Sequence, residues 1–419
     1  MLFPVFVFVC VTVCLLLLIS LPAVSPEPSK ASKASVTTLP SGLVVVTEDA
    51  CSTSTVTMTY PKAGSSSESL EGQGAALINK CLAFNSGSGL STAVVNRTIE
   101  NEGAMPFAKA DRTSATLGYT VEPDKAIGLV PLLALDSTFE KWDVRDAIKL
   151  AKFQIDEANK SVEAVLTEQI YASAYGASSS MGRAFFSAAA ASPYEIASFH
   201  SKGYGIKGAI LAATGIGDHD AFCSEVESLL LESPQGDSSV AAASEYLGGE
   251  ARLSAPSAGY AHVALAFEAK ALGPVKNILK HCYELAGREL GTSTFVTGDM
   301  VGVYASAPTA GVGALEGIIT ETMTTPLTPE LIAKAKTLAK AEATFDLDCG
   351  SLRLASAMTS SVLETGSFGD AAGVAKSYDA VSEADVAAAA GAMLKSNPSL
   401  AAVGDIGAVP YLGTFASRY

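Results

Sequence analysis

Closely spaced metal-binding and redox motifs are missing from this chain of 419 residues. Its four histidines are far apart, which excludes the zinc motifs in which two histidines share a helix face; they are His200, His219, His262 and His281. None of its seven cysteines forms a C-x-x-C pair, and an odd number without regular spacing does not make a disulfide framework. We therefore expect reduced, mostly buried thiols and no metal or cofactor ligands.

Charge is also scarce. Charged residues make up 17% of the chain and apolar residues 48%, and the net charge is −15. Without a basic cluster, sequence-independent binding to nucleic acid phosphates is excluded. The composition is typical of a packed globular protein with extensive buried or partner-covered surface, and the length suffices for two domains.

The only long apolar run lies at the amino terminus, at residues 2–21. It is just long enough to span a bilayer, and residues 22–25 resemble the end of a signal peptide. However, no Lys or Arg precedes Lys30, so the basic start of a signal peptide and an Arg-rich transit sequence are both absent. Residues 1–35 are therefore interpreted as an apolar segment and linker that acts as an anchor, an export signal or an atypical targeting extension.

The second half of the chain repeats patterns of the first. Residues 146–158 (DAIKLAKFQIDEA) resemble residues 330–343 (ELIAKAKTLAKAEA), and Thr328-Pro329 begins that second helix. The capping box of Ser192 and Glu195 has a counterpart at Ser382 and Asp385, and each of these helices leads to a short apolar strand. These repeats predict two duplicated α+β domains at residues 36–232 and 245–419, joined by a linker at 233–244.

Strands are predicted at residues 43–47, 55–60, 113–121 and 208–214, and helices at 74–84 and 144–175. The segments at 39–43 (LPSGL) and 63–65 (AGS) resemble the start of the mitochondrial processing peptidase family. That resemblance implies, for each domain, a mixed and mainly antiparallel sheet packed against helices.

In active members of this family, the next helix carries H-x-x-E-H, two zinc ligands and a glutamate that activates water. A third ligand, a glutamate, lies on a later helix. By alignment on Gly74 and residues 83–84, the positions of the H-x-x-E-H motif are Leu77, Lys80 and Cys81. The nearest ungapped equivalent of the third ligand is Gln154. Leucine cannot bind zinc, lysine brings a positive charge, and one cysteine cannot hold the ion alone. We therefore expect a chain that is not an enzyme, with no catalytic, cofactor-binding or metal-binding residue.

Two of these residues allow a second interpretation. Lys80 is expected to be a solvated or interface lysine, with a catalytic base as the alternative. Cys81 is expected to pack with Leu77 and Phe84 on one apolar helix face, because a nucleophilic cysteine would need a neighbouring base. Among the remaining candidates, His262 is predicted to be a hydrogen-bonded strand residue and His200 a surface residue.

Residues 246–252 with 261–265, and residues 379–406, resemble the core protein 2 branch of the family, found in ubiquinol–cytochrome c reductase (complex III). The alpha subunit of the processing peptidase has a related opening at the first of these segments. It carries a glycine-rich loop, however, where this chain has only the short stretch 286–295. The resemblance implies a structural subunit on the matrix side of the mitochondrial inner membrane. Its implied partners are a core protein 1 or processing peptidase beta-like subunit, cytochrome b, cytochrome c1 and the Rieske protein. The alternative is an alpha-like, non-zinc subunit of a processing peptidase that assists presequence binding.

Overall fold

The computed structural model describes residues 34–187, 191–236, 244–255, 259–271, 273–369 and 371–419. Residues 1–33 of the predicted anchor or targeting segment lie outside these residues, as does most of the predicted linker at 233–244. Ala34 and Ser35, the last two residues of that predicted segment, instead begin the first strand. Within the described ranges, none of the helices combines the length and the hydropathy needed to cross a bilayer.

The described residues form eleven strands and thirteen α-helices, numbered here in chain order. The strands are β1 (Ala34–Thr38), β2 (Val44–Glu48), β3 (Ser54–Tyr60), β4 (Met105–Ala110), β5 (Ala115–Val121), β6 (Ile210–Thr214), β7 (Gly249–Ser254), β8 (Tyr260–Glu268), β9 (Ser293–Thr297), β10 (Met300–Pro308) and β11 (Ser399–Gly404). The helices are α1 (Ala75–Cys81), α2 (Thr92–Asn101), α3 (Lys141–Lys160), α4 (Val162–Tyr175), α5 (Pro193–Gly203), α6 (His219–Leu229), α7 (Gly273–Gly287), α8 (Leu315–Thr324), α9 (Pro329–Asp348), α10 (Ser351–Thr365), α11 (Ala371–Ala380), α12 (Glu383–Met393) and α13 (Leu412–Ala416). Short 3₁₀ helices lie at Ser65–Ser67, Pro123–Lys125, Ile127–Ala134 and Thr309–Ala314.

The strands form two sheets with the same internal order. The first runs β1-β2-β6-β3-β5-β4 and the second β7-β11-β8-β10-β9. In the first, β2 is parallel to β6 and the other pairs are antiparallel; in the second, β7 is parallel to β11 and the other pairs are antiparallel. Apart from β1, the second sheet therefore repeats the strand order and directions of the first.

A close approach of phenylalanine to glycine also occurs in both sheets. Phe107 of β4 is paired with Gly118 of β5, and Phe295 of β9 with Gly302 of β10. A Cβ atom at Gly118 would lie 2.5 Å from the ring of Phe107, and one at Gly302 would lie 2.4 Å from the ring of Phe295. Because no side chain fits beneath either ring, glycine is required at both positions.

Each sheet has its own apolar core on one face. In the first half, helices α1 and α5 and the 3₁₀ segment Ile127–Ala134 contribute side chains such as Leu77, Ile196 and Leu133 to a core over β3 and β5. In the second half, α7, α8 and α9 pack over β8 and β10. Each half of the chain thus has one sheet with its own apolar core, as the predicted duplication requires.

The opposite face of each sheet is covered by a helix from the other half of the chain. Helix α4 packs Leu166 and Ile170 against Ala264 and Ala401 of the second sheet. Helix α10 packs Leu354 and the rest of its apolar face against Val46, Ile210 and Ala212 of the first sheet. This exchange joins Lys33–Tyr419 into one compact unit, and the domain boundaries derived from the sequence stay a prediction.

The structure confirms both predicted capping boxes, and the Thr328 hydroxyl caps α9. Two helix predictions need correction. The predicted helix at 144–175 is broken at Ser161, whose hydroxyl accepts from the Ala164 amide and begins α4 as a separate helix. The predicted helix at 74–84 ends at Cys81, and Phe84 follows in a left-handed conformation with φ of 61°. Phe84 therefore does not share a helix face with Leu77.

Candidate functional site

Helix α1 begins at a buried carboxylate. Gly74 adopts φ of 88°, and its amide donates to Glu68 Oε2 at 3.0 Å, while the Ala76 amide donates to Glu68 Oε1 at 2.7 Å. Burial raises the pKa of the Glu68 carboxyl to about 7, against the opposing effects of these two amides and of the Arg183 charge. Glu68 therefore satisfies helix amides that would otherwise lack a partner.

Arg183 holds the loop that carries Glu68. Its Nη2 donates to the Glu68 carbonyl at 2.8 Å, and its Nη1 donates to the Ser69 carbonyl at 3.0 Å. The start of α1 is thus fixed from two sides, by the Glu68 side chain and by the arginine that grips its backbone.

Helices α1 and α3 bring together the positions that the sequence assigned to a lost zinc site. Lys80 Nζ donates to Gln154 Oε1 at 3.0 Å, although the two residues lie 74 positions apart in the chain. Leu77 is 1% exposed and belongs to the apolar core of the first half. Burial raises the pKa of the Cys81 thiol, and the Lys80 charge offsets this only in part. Lys80 is therefore a partly buried lysine bound to Gln154.

These residues do not fit a zinc ion. Zinc needs about three deprotonated nitrogen, oxygen or sulfur donors. Here an ammonium group is bound to the amide oxygen of Gln154, a buried leucine stands one helical turn away, and Cys81 is a thiol whose pKa is raised. In the described part of the chain, no three His, Cys, Asp or Glu side chains form a group that could hold a metal ion.

A small cavity of about 30 Å³ lies behind α1, next to this site. Its lining includes Tyr60, Asn79, His200 and Tyr204. Among the described residues, the buried Asn79 Oδ1 and the Tyr204 hydroxyl have no hydrogen-bond partner. The cavity exceeds the volume that one water molecule needs, and polar atoms of this kind are what a buried water binds.

His200 is part of this cavity, so the prediction of a surface position is wrong. Its ring stacks on Tyr204 with 4.6 Å between centroids and meets the Phe139 ring edge-on at 5.3 Å. Burial lowers the pKa of His200 to about 4, against the opposing effect of Asp136. On α5, His200 lies one helical turn after the buried Ile196 and directly after the buried Phe199, on the face that packs against the core.

The second half holds a corresponding pair of helices, α7 and α9, with a different set of side chains. Lys280 Nζ lies 3.0 Å from Glu342 Oε1 and 3.2 Å from Oε2. Glu342 lies 13 residues after the start of α9, and Gln154 lies 13 residues after the start of α3. Lys280 and Glu342 therefore correspond to Lys80 and Gln154.

His281, next to Lys280, completes this second cluster. Its Nε2 lies 2.7 Å from Glu342 Oε2 and its Nδ1 lies 3.3 Å from Glu284 Oε2, while the residue itself is 8% exposed. Burial acts to raise the pKa of Glu342, but the hydrogen bonds from Lys280 and His281 outweigh it, and the pKa is lowered. The sequence analysis missed this cluster, although Lys80-Cys81 and Lys280-His281 stand in matching helices.

The other two histidines connect strands and helices. His262 Nδ1 lies 2.7 Å from the Tyr304 hydroxyl across β8 and β10, which confirms the prediction of a hydrogen-bonded strand residue. His219, at the start of α6, lies 2.8 Å from both Thr37 Oγ1 and Thr47 Oγ1. It thus ties β1 and β2 to the helix.

Comparison with known proteins agrees with this architecture. Residues 43–183 match the family model described as Insulinase (Peptidase family M16). The chain is 30% identical over 259 residues to the probable mitochondrial-processing peptidase subunit alpha-2, chloroplastic/mitochondrial, of Arabidopsis thaliana, covering 60% of this chain and 51% of that protein. It is 28% identical over 250 residues to the mitochondrial-processing peptidase subunit alpha of Solanum tuberosum, covering 58% and 49%. The chain thus spans about half the length of the curated relatives it matches.

A solved structure matches over nearly the whole chain. A chain of complex III2 from Candida albicans, bound to Inz-5, superposes with a TM-score of 0.78 at 18% sequence identity. The match covers 92% of this chain and 99% of that one. It confirms the predicted fold class, two duplicated sheet-and-helix units of the processing peptidase type, and the sequence comparisons confirm the resemblance to the family.

Proposed function

We propose that this chain is a structural, non-catalytic core subunit of mitochondrial complex III, similar to core protein 2. The observation that carries the proposal is the fold match to a chain of complex III2 over 99% of that chain's length. A match of this extent includes both halves and the exchanged helices, whereas the sequence relatives are covered by only about half.

The side chains at the junction of α1 and α3 support the non-catalytic part of the proposal. A hydrolytic site of this family type needs three zinc donors and a carboxylate base. Leu77 and Lys80 provide neither, and Gln154 holds the Lys80 ammonium with a neutral amide. The chain would therefore stabilise an assembly rather than cleave peptide bonds.

In this role the chain would pair with a core protein 1 or processing peptidase beta-like subunit on the matrix side of the inner membrane. It would support the subunits that pass electrons from ubiquinol to cytochrome c, namely cytochrome b, cytochrome c1 and the Rieske protein. Exposed apolar side chains on α3 and α9 are suited to partner contacts; they include Trp142, Phe153, Leu338 and Phe345.

The alternative is an alpha-like subunit of a mitochondrial processing peptidase, which would help a zinc-bearing partner bind presequences. The sequence relatives favour it, because the Arabidopsis and Solanum proteins carry that description. Their identity to this chain is 30% or less and extends over about half of their length.

Purification of the native protein from mitochondrial membranes in mild detergent separates the two functions. We expect cytochrome b, cytochrome c1 and a Rieske protein in fixed ratio, identified by mass spectrometry and by the haem spectrum. A soluble heterodimer with a zinc-bearing partner and no haem would overturn the complex III proposal and support the alternative.

A further inference from the structure

One edge of the two sheets differs between the halves. In the first sheet, β1 lies outside β2 and pairs with it in antiparallel fashion over five residues. In the second sheet, β7 takes the place of β2, and no strand of the described residues lies outside it. The duplicated fold therefore has a sixth strand on one side only.

Strands β2 and β7 make corresponding hydrogen bonds to the next strand of their sheets, β6 and β11. The Val44 amide of β2 donates to the Ala209 carbonyl, and the Gly249 amide of β7 donates to the Pro398 carbonyl. Because backbone groups alternate in direction along a strand, Val45 of β2 points its amide outward, as does Glu250 of β7. Val45 meets Thr37 of β1 there. At β7, no backbone group of the described residues bonds to the outward amides of Glu250 and Arg252.

Side chains hold β7 in place without covering its edge. Arg252 Nη2 donates to the carbonyls of Val409 at 2.7 Å and Ile406 at 3.2 Å, and Glu250 Oε2 accepts from the Leu412 amide at 3.0 Å. The carboxyl-terminal segment thus fixes the strand from one face. On the other face, Leu253 remains 44% exposed.

Strand β7 has neither proline nor lysine, and its two charged side chains, Glu250 and Arg252, are bonded to the carboxyl-terminal segment. Edge strands are commonly shielded by proline or by lysine, which prevent the addition of another strand. Strand β4, the far edge of the first sheet, carries both Pro106 and Lys109, whereas β7 (GEARLS) carries neither. A rigid, unshielded edge with outward amides is a surface to which an extended peptide can bind.

From this asymmetry, we propose that the outer edge of β7 binds an extended segment of another subunit, which adds antiparallel to the second sheet as its sixth strand. The inference rests on the proposed function, that of a subunit in a heteromeric assembly. Strand β1 (ASVTT) shows the chemistry required, which is about five uncharged residues rich in β-branched side chains. By the register of β1, in which Val36 pairs with Val46, an apolar residue would lie opposite Ala251.

A second copy of this chain fits that template less well. Pairing β7 with β7 would place Glu250 and Arg252 in the added strand, and in each copy these side chains are already bonded to the carboxyl-terminal segment. An uncharged segment from a different subunit matches the composition of β1 more closely than the charged β7 sequence does.

The test compares amide hydrogen exchange in the purified native assembly with exchange in the full recombinant chain alone. We expect residues 249–255 to exchange about tenfold more slowly or better in the assembly. Peptides from β2, whose edge β1 already covers, serve as the internal control and should be protected in both samples. A photoreactive p-benzoylphenylalanine in place of Leu253 should cross-link to a different subunit.

Two variants separate the backbone edge from the side chain. Arg252→Ala and Arg252→Pro both lose the guanidinium bonds, but only the proline variant loses the outward amide. We expect the two variants to have similar melting temperatures, but Arg252→Pro should enter the assembly about tenfold less well than Arg252→Ala. Equal incorporation of the two variants would overturn the inference.

Failure of the inference can be told apart from failure of the proposed function. If complex III subunits co-purify but residues 249–255 exchange at the same rate in both samples, the β7 inference is wrong and the function stands. A cross-link to a second copy of the chain also overturns it. If no complex III subunit co-purifies, the proposed function is wrong, and the inference falls with it.

Discussion

The two halves of the chain place a lysine at the same junction of two helices, but the partner differs. In the first half, Lys80 donates to the neutral amide of Gln154. In the second, Lys280 pairs with the carboxylate of Glu342, which also binds the buried His281. The first junction can lose its hydrogen bond at small cost, whereas the second is an ion network in which each removal leaves a charged or polar group without a partner.

The difference shows what each junction does for the fold. In the first half, a neutral amide binds the Lys80 ammonium next to an apolar core, so no ion pair forms there. The second junction uses three polar residues, Lys280, His281 and Glu342, to fix α7 against α9. A separate bond connects α7 to α11, because the Asn277 amide donates to the Tyr378 hydroxyl at 2.8 Å. The second half therefore depends on specific polar bonds where the first depends on packing.

The largest expected effect comes from rebuilding a ligand set in the first half. Leu77→His, Lys80→Ala, Cys81→His and Gln154→Glu together should bind one zinc ion per chain, measured by elemental analysis after dialysis, because α1 and α3 bring these positions together. The matched control keeps Gln154 and so has only two of the three donors that zinc needs, and we expect it to lose its zinc during dialysis. A folded fourfold variant without zinc would show that the four positions do not converge.

Removing one side chain from each junction tests the comparison directly. Glu342→Ala should lower the free energy of unfolding by about 2 kcal/mol, because it leaves Lys280 and the buried His281 without their shared partner. Gln154→Ala should cost about 0.5 kcal/mol, because it removes one hydrogen bond to a lysine that water can reach. Urea denaturation measures the free energy of unfolding of both variants. Equal losses would contradict the contrast between a lysine–carboxylate junction and a lysine–amide junction.

The His200 cavity gives the first half a pH dependence of its own. Because burial lowers the pKa of His200 to about 4, the unfolded chain binds a proton near pH 6.5 that the folded chain does not take up. The free energy of unfolding therefore decreases as the pH falls from about 6.5 towards 4, because only the unfolded chain takes up the proton in this range. His200→Phe should reduce the loss between pH 7.5 and pH 5 by about 1–2 kcal/mol. Thermal unfolding at several pH values measures this, and an unchanged profile would contradict it.

A pH dependence of opposite sign comes from Glu68. Its pKa in the folded chain is raised to about 7, so the folded state binds more protons than the unfolded state between about pH 4.5 and pH 7. This contribution therefore decreases as the pH rises through that window. Glu68→Gln should remove a slope of about 1 kcal/mol per pH unit from the free energy of unfolding. It should also cost about 1 kcal/mol at pH 7, since the one oxygen of a glutamine amide cannot accept from both helix amides as the two carboxylate oxygens do. A variant with the wild-type slope would show that Glu68 does not titrate in this range.

The sequence predicted the substituted positions at α1 and α3 but not their cavity. Aligning the motif was enough to expect Lys80 and Gln154 at one place, because the motif fixes helix positions regardless of which side chains fill them. The inward position of His200 could not be derived, because it depends on how α5 packs against Phe139 and Tyr204. The break at Ser161 could have been found, since a serine before Val-Glu is a helix-start signal.

The second junction was missed because its partners are 61 residues apart and the sequence analysis had no ligand motif to follow there. Matching the repeat more closely would have helped, since residues 78–81 (INKC) and 278–281 (ILKH) share their isoleucine and lysine. The exchange of α4 and α10 leaves no such trace, because an amphipathic helix does not reveal which sheet it will cover.

The exchange of α4 and α10 determines when the first sheet can be covered during synthesis. The last strand of the first sheet, β6, ends at Thr214, but the helix that covers this sheet, α10, ends at Thr365. At a translation rate of about 5–20 residues per second, the ribosome takes roughly 10–30 s to make the intervening chain. During that interval Val46, Ile210 and Ala212 lack their covering helix. The nascent first half is thus a natural client for a chaperone until the second half is nearly complete.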